Sequence, residues 1–172
     1  MARKRKKVRK FIYPGHGFPI ELRNIELVEV FGRWAPDVDL TGLGEQAFRS
    51  LATKPASLTG DEIHFVRHRM RLKVEAFAEL LRVTHPTVLH WEKSREKATK
   101  MNWGTEQDIR LKIAERSGVT GARFFEVYSE IAALELEPVE NVVMVYDPSD
   151  PEYAKTGFAV SGRRRSPQLR GT

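Results

Sequence analysis

The sequence predicts a mainly α fold: a five-helix domain built on a helix-turn-helix, with a small N-terminal β-hairpin module and a candidate C-terminal strand. Three observations carry this. Residues 58–97, LTGDEIHFVRHRMRLKVEAFAELLRVTHPTVLHWEKSREK, read as three short helices with a tight turn between the second and third, the layout of a helix-turn-helix unit. Residues 11–34 show alternation and β-branching in place of a helical period. Residues 141–146, NVVMVY, form a compact apolar run bounded by Pro138 and Asp147-Pro148. The chain divides accordingly into a basic disordered arm (1–10), a β-rich module with a connector (11–57), a helix-turn-helix domain (58–137), and a short strand with a disordered tail (138–172).

Along the chain, Phe11, Ile12 and Tyr13 precede the turn-rich Pro14-Gly15-His16-Gly17. Ile20 and Leu22 then alternate with polar residues, and Leu27, Val28, Val30 and Phe31 follow. This pattern predicts two short strands with a turn near Arg23-Asn24. A lone hairpin is marginal in water, so it must pack or pair with something; residues 141–146 are a candidate partner strand. Gly32, Pro36, Gly42, Gly44 and Pro55 mark residues 32–57 as a connector with one short helix near Glu45–Ala52, its apolar face made by Leu43, Ala47, Phe48 and Leu51.

Thr59-Gly60-Asp61-Glu62 has capping-box spacing, so the first helix of the unit starts there and runs to about Arg71, burying Ile63, Val66 and Met70. The second covers about Val74–Leu81, with Phe77, Ala78 and Leu81 inward. Thr84 caps the third, His85–Lys93; Pro86 is tolerated in its first turn, and Val88 and Trp91 face the core. Thr105–Asp108 caps a fourth helix with Ile109 and Ile113 inward, and Gly118 stops it. Thr120 caps a fifth, Gly121–Glu135, with Phe124, Tyr128 and Ile131 on one side, widened by Phe125 and Ala132. That helix either closes the core or forms a dimer surface. Residues 147–172, rich in Pro, Ser, Gly and Arg, read as mostly disordered.

Composition narrows the function classes. The 172 residues are 41% apolar and 30% charged, and no apolar run approaches ~18 residues, so no membrane span is expected. A basic start without an apolar segment behind it is not a secretory signal. Without cysteine there is no disulfide framework and no thiolate metal site, and cytoplasm is the expected compartment. Arg3, Lys4, Arg5, Lys6, Lys7, Arg9 and Lys10 supply seven of the positive charges; removing them from the net +6 leaves −1. Such a run suits phosphate backbones or an acidic partner surface, or simply solubilises. No phosphate-cradling Gly-rich loop or HExxH is present, so neither an enzyme nor a cofactor is expected. His64 and His68 stand four apart but lack a third ligand, and read as an exposed helical face. His16, among glycines, reads as a loop residue.

The candidate DNA-binding residues follow from the helix order. The N-terminal residues of a recognition helix reach base edges while later cations hold phosphates. Thr84, His85, Thr87 and His90 fall in the first group, Lys93, Arg95 and Lys97 in the second; Lys73, before the second helix, is a further candidate. Leu89 is placed to touch a thymine methyl. Residues 58–97 carry eight Lys/Arg against six Asp/Glu, a balance of only +2.

On Ile63, Val66-Arg67, Phe77-Ala78, Leu80-Leu81, Val83-Thr84, Thr87-Val88 and Trp91-Glu92, residues 58–97 resemble the Cro/repressor-type (Xre-like) helix-turn-helix family. Adding Tyr13, Gly17-Phe18-Pro19, Ile25, Val30, Leu58-Thr59-Gly60, Glu62-Ile63, Phe65 and Arg67, residues 11–116 resemble the MqsA-type antitoxins. The resemblance implies a homodimeric repressor of its own operon that binds operator DNA at two half-sites. It also implies a hairpin, Phe11–Phe31, that binds a cognate, RNA-cleaving toxin through Phe11, Tyr13, Ile20, Leu22, Leu27 and Val30. Apart from the resemblance, VVMVY followed by a basic tail is compatible with recruitment of a SecB-like chaperone, as in tripartite antitoxin systems. Arg67 and Glu92 occupy positions that pair in the Xre family. Three departures stand out. The family's zinc cysteines, due near Phe31–Pro36, are missing, so no metal is expected and Phe31 and Trp34 would hold the module by packing. Arg82 occupies a turn position where Gly is common. Val74 and Leu89 replace residues that face DNA in the family. The alternative readings are an Xre-like regulator without a toxin and a protein-interaction module that has lost DNA binding.

Overall fold

The computed structural model describes residues 2–162. The fold is α/β, which corrects the mainly α expectation. Its elements are β1 (Arg5–Tyr13), β2 (Ile20–Val30), β3 (Arg33–Pro36), α1 (Leu40–Ser50), α2 (Gly60–Arg69), α3 (Val74–Leu80), α4 (His85–Glu92), α5 (Trp103–Arg116), α6 (Gly121–Ala132), β4 (Val142–Tyr146) and β5 (Gly157–Val160). The five strands form one mixed sheet, too large to be an appendage to a helical domain.

β2 organises the sheet. β1 pairs antiparallel along its whole length, from Arg5 opposite Val28 to Tyr13 opposite Ile20. Its other edge is shared. β3 pairs antiparallel with Leu27–Val30, and β4 pairs parallel with Ile20–Leu22. β5 adds antiparallel outside β4. Between β3 and β4 the chain makes all six α-helices of the described residues. Buried Ile20, Leu22, Ile25 and Leu27 join Phe65, Phe77, Ile109, Ile131 and Met144 in one core.

Three details of the sheet differ from expectation. Residues 5–10 are strand, not arm; their charges face water while their backbone pairs with β2. Arg23-Asn24 is no turn. Asn24 takes a left-handed φ of +53, which Asn tolerates better than most residues, and its amide donates to Asp147 at 3.0 Å. The buried alternation then resumes one position late, at Ile25. The actual turns are Pro14–Gly17, closed by Gly17 N–H donating to the Pro14 carbonyl at 3.0 Å, and Phe31-Gly32. The latter is a two-residue loop with φ of +49 and +75, the mirror-image turn suited to strand twist. It leaves Phe31 fully exposed, so Phe31 packs nothing together. β5 lies in the region expected to be tail; the remainder of that tail, 163–172, lies outside the described residues.

The helices follow their local signals. The capping box of α2 is complete, with Glu62 N–H donating to Thr59 at 3.2 Å and Thr59 N–H donating to the Glu62 carboxylate at 2.9 Å. Ile63, Val66, Met70, Phe77, Ala78, Leu81, Val88 and Trp91 are all buried. α1 begins before Glu45 because Asp39 caps it through the Gly42 N–H. α5 begins at Trp103 because Asn102 caps it. In α6 the inward positions are Val127 and Ile131, while Tyr128 is exposed. The largest fully buried side chain, Arg110, donates to carbonyls of Lys54 at 2.8 Å and Ala56 at 2.7 Å, and pairs with Glu106 at 2.7 Å. It thereby staples the segment before α2 to α5.

Candidate nucleic-acid interface

The α3–α4 pair is set by how α3 ends. Val83 N–H donates to the Ala78 carbonyl and Arg82 N–H to that of Glu79, with Arg82 at φ +56. This is a Schellman close, which favours Gly at the left-handed residue. α2 closes identically with Arg71 at φ +57, its N–H donating to His68 and that of Leu72 to Arg67. Two of these turns thus carry arginine where glycine would be less strained.

α4 is then locked from two sides. Arg67 forks onto Glu92 at 2.6 and 3.1 Å, and a second arm donates to the Leu72 carbonyl at 3.1 Å. His64 Nδ1 adds a 3.0 Å contact to the same carboxylate. Burial alone would raise the Glu92 pKa; the Arg67 and His64 hydrogen bonds outweigh it and hold the carboxyl below its ordinary value. The second lock is Gly60. A Cβ there would stand 2.5 Å from the Trp91 carbonyl oxygen and 2.6 Å from the Arg95 nitrogen, so backbone packs directly on backbone at the end of α4. Asp61 N–H donates to the Arg95 carbonyl at 2.9 Å across this junction.

With Val88 and Trp91 buried, α4 turns Thr84, His85, Leu89, His90 and Lys93 to solvent; Arg95 and Lys73 are exposed as well, and Thr87 is half-buried. Thr84 occupies the cap position without capping, sharing a 2.8 Å hydrogen bond with the Thr87 hydroxyl instead. The face also holds a residue the sequence reasoning missed. Glu75, exposed in the first turn of α3, stands 3.6 Å from His85 Nδ1. Its only sequence signal was its place directly after Val74.

His64 and His68 are exposed, with ring centroids 4.3 Å apart. Burial, then the His64 and Arg67 charges, lower the His68 pKa. Among the described residues no group of three or more His, Cys, Asp or Glu is placed to hold a metal ion.

The partner-binding residues divide. Ile20, Leu22 and Leu27 are buried in the core because β2 is central, so they cannot be contact residues as expected. Phe11, Tyr13 and Val30 are half-buried. What the sheet does expose is the basic strand β1, Ile12, Phe31, and Trp34 with the Lys6 ammonium 4.2 Å above its ring. On β1, Arg5 pairs with Asp37 at 2.7 Å and Glu26 at 3.2 Å, Lys10 with Glu21 at 3.4 Å, and Lys4 with Glu29 at 3.8 Å. Arg3, Lys7 and Arg9 make no ion pair among the described residues.

His16 is more than a loop residue. Its ring sits against Tyr13 and Phe65 with centroids at 5.4 and 5.7 Å, and a Cβ on Gly44 would come within 2.9 Å of it. The hairpin turn is thereby keyed into α1 and α2. Burial lowers its pKa, a backbone hydrogen bond at Leu40 opposes this, and the Arg69 charge lowers it further.

Among the described residues, no helix is long and apolar enough to cross a membrane. No family model, curated protein or solved structure matches this chain.

Proposed function

We propose that this protein is a DNA-binding repressor that is also the antitoxin of a toxin–antitoxin pair. The observation that carries the DNA reading is the locked α4. A bidentate Arg67–Glu92 pair and the Gly60 contact tie its C-terminal end to α2, while a row of small polar and cationic side chains on it is left to solvent. Rigid presentation of such a helix is what major-groove reading requires. In this reading Thr84, His85, Thr87 and His90 reach bases, Leu89 meets a thymine methyl, and Lys73, Lys93 and Arg95 hold phosphates.

The antitoxin half rests on the resemblance and on β1. A nine-residue edge strand with cations to spare offers main-chain pairing to an acidic partner strand, and Phe31 and Trp34 offer apolar contact beside it. A homodimer would form through the exposed side of α6, where Phe125 and Tyr128 stand three residues apart on one face.

One observation favours a second reading. Glu75 beside His85 sets a carboxylate on the surface that would face phosphates, as suits a helix-turn-helix kept for protein contacts. A mobility shift on the DNA upstream of the protein's own gene separates the two, comparing wild type with the His85→Ala/His90→Ala variant. Sequence-selective binding lost in the variant is the expected result. No binding by wild type favours the second reading. Co-expression with the neighbouring reading frame tests the antitoxin half: toxicity relieved by this protein is expected.

A further inference from the structure

A cleft of about 390 Å³ lies where α1, α2 and α5 end together, and Glu45, Arg49, Arg69, Arg71, Arg116 and Ser117 are among the residues that line it. Four arginines from three elements share it with a single carboxylate. Arg69, Arg71 and Arg116 make no ion pair among the described residues, and Arg49 donates only to the Ser117 carbonyl, at 3.4 Å.

The plain explanation is helix-end electrostatics, since a helix C-terminus carries about −0.5 charge and favours cations. Three such ends contribute about −1.5 and Glu45 adds −1, against four guanidinium groups, so about +1.5 remains unbalanced. Arg71, the residue after the Met70 cap of α2, is moreover held in a left-handed conformation that glycine would adopt with less strain.

We infer that this cleft seats backbone phosphates of the same duplex that α4 reads. Guanidinium forks suit phosphate oxygens better than any other cationic side chain. Arg71 lies two residues before Lys73, the cap residue of α3, so the loop that lines the cleft leads directly into the helix pair proposed to meet DNA. The consequence is specific. Arg49 on α1 and Arg116 on α5, both outside the helix-turn-helix, contact DNA, and the footprint extends past the unit that reads sequence. This inference rests on the DNA-binding reading above.

The test is the salt dependence of binding by the full chain, wild type against Arg49→Gln/Arg116→Gln, on the upstream duplex and on an unrelated duplex. Each phosphate contact contributes about 0.9 to the slope of log K against log salt. The double variant should be shallower by about 1.8 on both duplexes, with its sequence preference unchanged. Glu45→Gln, which removes the carboxylate, should bind both duplexes more tightly; this keeps the test open if the arginine variant fails to fold. An unchanged slope in a folded variant overturns the inference while leaving the DNA reading intact. Binding of inorganic phosphate at the cleft with unchanged DNA slopes assigns it to small anions instead and also overturns it. No DNA binding by wild type overturns both.

Discussion

Arginine in left-handed backbone is the most informative residue-scale feature. At Arg82 a side chain is held at φ +56, where glycine would relieve on the order of 1 kcal/mol. Arg82→Gly should therefore raise the midpoint of urea unfolding; an unchanged or lowered midpoint would contradict the strain argument. Glu92 makes the opposite prediction. Its removal leaves Arg67, only 9% exposed at the side chain, without its partner. Exposed pairs are worth about 0–1 kcal/mol, whereas a broken buried pair costs several. Glu92→Ala should lose more than about 1 kcal/mol at neutral pH. Because the folded carboxyl has a lowered pKa, the stability it supplies is full above the ordinary carboxylate value and disappears as pH falls through the folded one. The difference between wild type and variant should shrink toward pH 3, and a constant difference would show that Glu92 acts by packing rather than charge.

The elements show why part of the fold was legible in the sequence and part was not. α2, α3 and α4 lie within a few residues of their expected bounds because their signals are local: the Thr59/Glu62 box, the buried stripe of Ile63, Val66 and Met70, and Pro86 in a first turn. β1 was hidden because pairing is not local. Lys and Arg in a row resemble a solvated tail until Glu21, Glu26, Glu29 and Asp37 are brought beside them. The same cause hid the burial of Ile20 and Leu22: an alternating strand looks identical at an edge or a centre, and only the parallel partner β4 decides which it is. Glu75 was missed for a third reason, since its importance lies in its distance to His85 and not in its neighbours in sequence. α6 carries a prediction at this scale. Its Val127 and Ile131 serve the monomer core while Phe125 and Tyr128 do not. Phe125→Glu/Tyr128→Glu should convert a dimer to a monomer in sedimentation without lowering helix content. A wild-type monomer would overturn the homodimer, and a variant dimer would move its interface elsewhere.

At the scale of the whole molecule, sheet and helices share one core, and His16 is the joint where the hairpin turn meets α1 and α2. Its Nε2 is buried without a hydrogen-bond partner among the described residues, so charging the ring there is unfavourable, and its folded pKa lies below the ordinary histidine value. The unfolded chain then binds the proton more readily. Stability is retained above about pH 6.5 and falls as pH drops from there toward the folded pKa. Wild type should lose urea resistance between pH 7.5 and pH 5.5, and His16→Gln should lose less of it. Equal losses would place the acid sensitivity on His68 or elsewhere.

The parallel pairing of β4 with β2 also has a meaning in time. Ile20 and Leu22 leave the ribosome 144 − 20 = 124 residues ahead of the strand that covers their edge, at Met144 and Tyr146. At about 5–20 residues per second that interval is roughly 6–24 s. For that period a nascent chain holds one edge of Ile20–Leu22, three of the eleven residues of its central strand, open to any other strand that can fit. Whatever occupies that edge first competes with β4 for it.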